Sequence, residues 1–81
     1  MERAEVFAKV SELLTGYLRV DPEEVTETSH VTNDLGADSL ALVELGFKFT
    51  ETFGIGMLTP DGDNMVVGAL VDCIMTLMKK R

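Results

Sequence analysis

The chain has 81 residues, 46% of them hydrophobic and 26% charged, which suits one small folded domain over residues 1–81 and excludes both a disordered chain and a large enclosed active site. Its 14 acids and 7 bases give a formal charge of −7, and because the last three residues are all basic, residues 1–78 hold 4 bases against 14 acids, a net of −10. Such a surface repels nucleic acid and anionic lipid and attracts basic protein surfaces.

The first element is an amphipathic helix over residues 2–18. Val6, Val10, Leu13, Leu14, Tyr17 and Leu18 recur at spacings of three and four, with Phe7 beside them. Glu2 and Glu5 lie in its first turn, where negative charge suits the helix dipole, and Gly16 weakens its last turn. Residues 19–38 are a long connection, opened by the capped turn Asp21-Pro22-Glu23-Glu24. Val25, Val31 and Leu35 are its anchors to the core, and loops of this length often carry function.

A second helix is expected over residues 39–53, with Asp38 as N-cap and Gly54 as the stop. Leu42, Leu45, Phe49 and Phe53 make its apolar stripe. Thr59-Pro60 can open a short third element inside the glycine-rich segment 54–65, which is expected to be mobile. The last helix covers residues 66–79, with Val67, Leu70, Ile74 and Leu77 inward, widened by Val71 and Met78, and Lys79, Lys80 and Arg81 at its negative end. No segment shows strand alternation. The expected fold is all-α, a small four-helix bundle of three main helices and one short one.

The segment Asp34-Leu35-Gly36-Ala37-Asp38-Ser39-Leu40, followed by Val43-Glu44-Leu45, resembles the phosphopantetheine attachment motif of acyl carrier proteins. The likeness extends to the helix order and to the acidic loop with Val20-Asp21-Pro22-Glu23-Glu24-Val25. Local physics agrees with it. Gly36 allows a tight approach to the helix, Asp38 caps it, and Ser39 sits in the first turn, where a phosphodiester meets free backbone N–H groups and the positive dipole end.

The resemblance implies a carrier without catalytic residues. A 4'-phosphopantetheine arm from coenzyme A would be attached to Ser39 by a phosphopantetheinyl transferase, and acyl groups would ride on its thiol as thioesters in fatty acid, lipid or polyketide-type biosynthesis. It implies partner recognition by Asp34, Asp38, Leu40, Glu44 and Phe47, toward acyl-loading and acyl-processing enzymes with basic surfaces. It also implies an acyl pocket in the core, lined by Leu42, Leu45, Gly46, Phe49, Phe53, Leu70 and Ile74.

Two departures stand out. Ala41 replaces an acidic residue common in the family, and Lys48, Thr50 and Thr52 thin the negative charge, which points to a dedicated pathway. Gly46 replaces a larger apolar residue, which points to an altered acyl pocket.

Other residues have plainer readings. His30 reads as a polar surface residue and Cys73 as a small, partly buried core residue. With one cysteine and one histidine no metal site is expected, and the Asp61-Gly62-Asp63-Asn64 cluster lacks the ligand spacing of an EF-hand. A single cysteine suits a reducing compartment. The N-terminal Met-Glu-Arg-Ala-Glu lacks a signal-peptide layout, and the longest apolar run, Met65 to Val71, is too short to span a bilayer. A cytoplasmic monomer is the expectation.

Two alternatives share parts of this reading: a peptidyl or aminoacyl carrier, and an acidic interaction module that is never modified. A Gly-Asp-Ser-Leu hydrolase is excluded, because Ala37 interrupts that motif and no histidine follows Ser39.

Overall fold

The computed structural model of the chain describes residues 2–56, 58 and 65–79. Among the described residues, three α-helices hold the core: α1 (Arg3–Leu18), α2 (Ser39–Phe53) and α3 (Val67–Lys79). A single 3-10 turn, Pro22–Glu24, lies between α1 and α2. The short helix expected from Thr59-Pro60 lies outside the described residues.

Helix α1 runs two residues past Gly16 to Leu18 and is capped by Arg19, which takes the left-handed conformation with φ 58°. Arg19 is the only described residue other than glycine with positive φ. Pro22 opens the 3-10 turn, and Asp21 and Glu24 cap it reciprocally. Helix α2 has the expected bounds. The Asp38 side chain accepts from Ala41 N–H at its start, and Gly54 closes it at φ 64°.

The core joins one face of each helix to the connecting loop. Val6, Val10 and Leu14 come from α1; Ala41, Leu45, Phe49 and Phe53 from α2; Val67, Leu70, Val71 and Ile74 from α3. Val25, Val31 and Leu35 are buried as expected, joined by Ala37, Ile55 and Leu58. The stripes differ in detail from their sequence pattern. Leu13, Tyr17 and Leu18 are only half-buried, and on α2 Ala41 takes a buried place while Leu42 stays half-buried. The small side chain faces the crowded side and the larger one the rim.

The long connection is more ordered than its length implies. Residues 27–31 lie beside the start of α3. Gly68 N–H donates to the Glu27 carbonyl at 2.9 Å, Val67 N–H to Ser29 at 2.9 Å, and Val31 N–H donates to Met65 at 2.8 Å. His30 and Val66 form an isolated antiparallel bridge. Gly68 makes this closeness feasible, because a Cβ there would fall 2.8 Å from the Glu27 carbonyl oxygen. Arg3 locks the same seam from α1. Its Nε donates to Asp72 at 2.8 Å, and Nη2 donates to Glu27 at 2.8 Å and to the Gly68 carbonyl at 3.2 Å. Its Nη1 completes a fork on the Glu27 carboxylate.

Candidate functional site

The loop 30–37 aims the start of α2. Leu35 and Ala37 are both buried and grip the core on either side of Gly36, which turns the chain at φ 81°. Ala37 N–H donates to the Val31 carbonyl and Gly36 N–H to that of Thr32, at 2.9 and 3.0 Å. The Asp34 carboxylate accepts from His30 N–H at 2.7 Å. His30 is half-buried, contrary to its surface reading, and Nδ1 accepts from the N–H groups of Thr32 and Asn33. It therefore acts as an internal cap of this loop.

Ser39 follows as the first residue of α2 and is exposed. Among the described residues its hydroxyl has no hydrogen-bond partner, and neither have the N–H groups of Ser39 and Leu40. The third N–H of the helix, that of Ala41, is taken by Asp38. An accessible hydroxyl beside two free N–H groups at the positive end of a helix fits a covalently attached phosphodiester.

The face of α2 beside Ser39 is unusually apolar for an exposed surface. Leu40, Val43 and Phe47 are 68%, 40% and 53% exposed and follow one another along the helix. Asp38 and Glu44 are exposed next to them. The structure thus gathers Asp38, Leu40, Glu44 and Phe47 on a single surface reached from Ser39. Asp34 is exposed too, but its carboxylate is engaged within the loop. The inward side of α2 holds Leu45, Gly46, Phe49 and Phe53, all buried, and α3 contributes buried Leu70 and Ile74.

Tyr17 and Lys48 join this face in a way that sequence spacing does not reveal. The Tyr17 hydroxyl donates to the Glu44 carboxylate, which holds its pKa above the ordinary tyrosine value. Lys48 Nζ lies 5.7 Å from the centroid of the Tyr17 ring. Elsewhere, Cys73 is half-buried as expected. Among the described residues no cluster of His, Cys, Asp and Glu could hold a metal ion, and no helix is long and apolar enough to cross a membrane.

The family model of the phosphopantetheine attachment site matches residues 8–74. The acyl carrier protein of Thermotoga maritima is 37% identical over 78 residues, which span 96% of this chain and 94% of that protein. The chain belongs to the acyl carrier protein family. The mitochondrial acyl carrier protein of Neurospora crassa is 39% identical over 66 residues, or 80% of this chain. The match spans about half of that protein's length, 49%. A solved structure of the acyl carrier protein from Enterococcus faecalis superposes with a TM-score of 0.74 at 30% identity, covering 95% of this chain and 99% of the other. The chain is a non-catalytic carrier of acyl groups, and its cofactor is phosphopantetheine.

Proposed function

We propose that Ser39 bears the phosphopantetheine arm and that a phosphopantetheinyl transferase installs it from coenzyme A. The observation that carries this reading is an exposed hydroxyl at the first position of α2, unbonded among the described residues, inside an unbroken Asp-Leu-Gly-Ala-Asp-Ser-Leu segment. When attached, the arm supplies a terminal thiol for thioester exchange. The chain's own part is to hold the attachment point rigid on the loop 30–37 and to offer the phosphate free N–H groups.

The carrier serves acyl-loading and acyl-processing enzymes of fatty acid or related biosynthesis that dock on the exposed α2 face. Leu40 and Phe47 offer apolar contact, and Asp38 and Glu44 attract basic side chains. The acyl chain enters between the inner walls of α2 and α3, lined by Leu42, Leu45, Gly46, Phe49, Phe53, Leu70 and Ile74. Gly46 is buried and puts no side chain into that wall, so Gly46→Val shortens the preferred acyl chain. Unchanged chain-length preference would count against this pocket. The lone Cys73 suits a reducing, cytoplasmic setting.

Intact mass after incubation with coenzyme A and a broad-specificity phosphopantetheinyl transferase tests the attachment. The wild-type protein gains one phosphopantetheine and Ser39→Ala gains none. A folded wild-type protein that gains nothing, or a Ser39→Ala protein that still gains the arm, overturns the assignment.

A further inference from the structure

Helix α2 carries Glu44, Lys48 and Glu51 at spacings of four and three. Glu followed by Lys four residues later is the favoured order for a helical ion pair. That pair is not made here. Among the described residues Lys48 has no ion pair with either acid. Instead Tyr17, reaching across from α1, takes both partners separately: its hydroxyl binds the Glu44 carboxylate and its ring face receives the Lys48 ammonium.

The consequence is a surface on which opposite charges stand apart and remain exposed. Glu44, Lys48 and Glu51, with the exposed Phe47, line a depression of about 290 Å³ on α2. Lys48 also borders a second depression of about 270 Å³ toward α1, with Glu12, Leu13, Gly16 and Tyr17. Lys48 is the only lysine or arginine of α2 and of the whole stretch from Val20 to Glu51. It stands beside the stripe of Leu40, Val43 and Phe47 that begins next to Ser39. An enzyme that receives the arm must approach this surface, so Lys48 stands at the edge of the contact.

Resting on the carrier reading, we infer that Lys48 is a specificity determinant: it selects partner enzymes whose basic docking face contains one carboxylate placed to meet it. A uniformly basic face gains attraction at Glu44 and Glu51 and suffers repulsion at Lys48. A face with a single acid in register gains at all three. Like-charge contact rejects wrong partners more effectively than an added attraction recruits right ones. Tyr17 is the positioning residue, since it keeps Glu44 from neutralising Lys48.

The test uses the arm-bearing protein and, as probe, a ketosynthase with an all-basic docking face, together with a set of its variants in which each docking base is changed singly to Glu. Dissociation constants are measured for the wild-type carrier, Lys48→Glu, Lys48→Gln and Tyr17→Phe. At least one probe variant binds the wild-type carrier about three- to tenfold more tightly than the parent probe does, in the range of partly exposed charge pairs. Lys48→Glu reverses that preference and Lys48→Gln abolishes it. Tyr17→Phe keeps the ring but frees Glu44 to pair with Lys48, and it weakens the preference without loss of helix content.

If the ratio of wild-type to Lys48→Glu affinities stays within about twofold across the whole probe set, Lys48 does not select partners and the inference fails. Failure of the carrier reading is separate, because it appears beforehand as absence of the arm in the intact mass.

Discussion

Two surfaces of this small bundle treat their polar and apolar groups in opposite ways. Where α1 meets the loop and α3, Arg3 directs its guanidinium at Glu27, Asp72 and the Gly68 carbonyl, and the backbone of residues 27–31 is hydrogen-bonded to residues 65–68. On α2 the Ser39 hydroxyl is unbonded among the described residues, three large apolar side chains stand in water, and Lys48 avoids the acids beside it. The first surface closes the fold. The second leaves groups open that a partner can satisfy, as a carrier that must be recognised by several enzymes requires. The difference can be broken residue by residue.

The largest effect comes from two phenylalanines two positions apart. Phe49 is fully buried and Phe47 is 53% exposed. Phe49→Ala is expected to cost about 3–5 kcal/mol in urea unfolding, from lost burial and the cavity left behind. Phe47→Ala stays within about 0.5 kcal/mol, as for surface substitutions free of packing or capping roles. The functional readout inverts the order per unit of folded protein, because Phe47→Ala weakens docking of acyl-processing enzymes. If both substitutions destabilise the fold equally, α2 has no separate docking face.

Two glycines sharpen the contrast next. A Cβ at Gly68 would fall 2.7 Å from Glu27 Oε1 and 2.8 Å from its carbonyl oxygen, whereas a Cβ at Gly16 meets nothing within 4 Å. Gly68→Ala therefore forces the loop off α3, at about 1–3 kcal/mol as for other overpacked sites. Gly16→Ala raises stability by about 0.5–1 kcal/mol through helix propensity alone. Thermal unfolding measures both. Amide exchange at Gly68, whose N–H reports the Glu27 contact, locates the damage in the first.

Asp38 belongs to both regimes, because its carboxylate caps α2 and it is exposed on the proposed docking face. Asp38→Ala loses about 0.5–2 kcal/mol with the cap. Asp38→Asn keeps a capping oxygen and stays close to wild type in stability, yet it slows association with basic enzymes. Stopped-flow rates at low salt separate the two variants. Equal slowing of association by salt in wild type and Asp38→Asn would remove Asp38 from the docking surface.

How much of this was legible in the sequence follows from how local each signal is. The bounds of α2 were readable because Asp38 and Gly54 are cap residues adjacent to the helix they limit. The capped turn at Pro22 was readable for the same reason. Ser39 stood out through seven contiguous residues. The Tyr17, Glu44 and Lys48 arrangement was not readable, because it joins α1 to α2 across 27 residues, and Tyr17 lies on a helical stripe that reads as core. The Arg3 lock spans 24 and 69 residues, and no periodicity marks such a contact. His30 looked like a surface polar residue because its role is to accept loop N–H groups, which only the folded turn brings to it. Ala41 and Leu42 exchanged places because the stripe pattern counts hydrophobicity and not the room available.

The smallest effects, and the last contrast, lie in pH dependence. Hydrogen bonds from Arg3 hold the Glu27 carboxyl below its ordinary value of 4.5. As pH falls, the unfolded chain therefore binds this proton before the folded chain does. The stability Glu27 contributes is whole above about 4.5 and is lost as pH falls through the folded value. Tyr17 has the opposite sign. Its hydrogen bond to Glu44 holds the phenol above its ordinary value of 10.0, so its contribution is whole below that pH and is lost as pH rises through the folded value. Glu27 is exposed and Tyr17 half-buried, and salt screens both, so the slopes are shallow. In midpoints measured across pH at low ionic strength, Arg3→Gln flattens the acid arm and leaves the alkaline arm alone. Tyr17→Phe does the reverse. If either substitution flattened both arms equally, the two surfaces would be one electrostatic unit, and the separation of a closed seam from an open docking face would not hold.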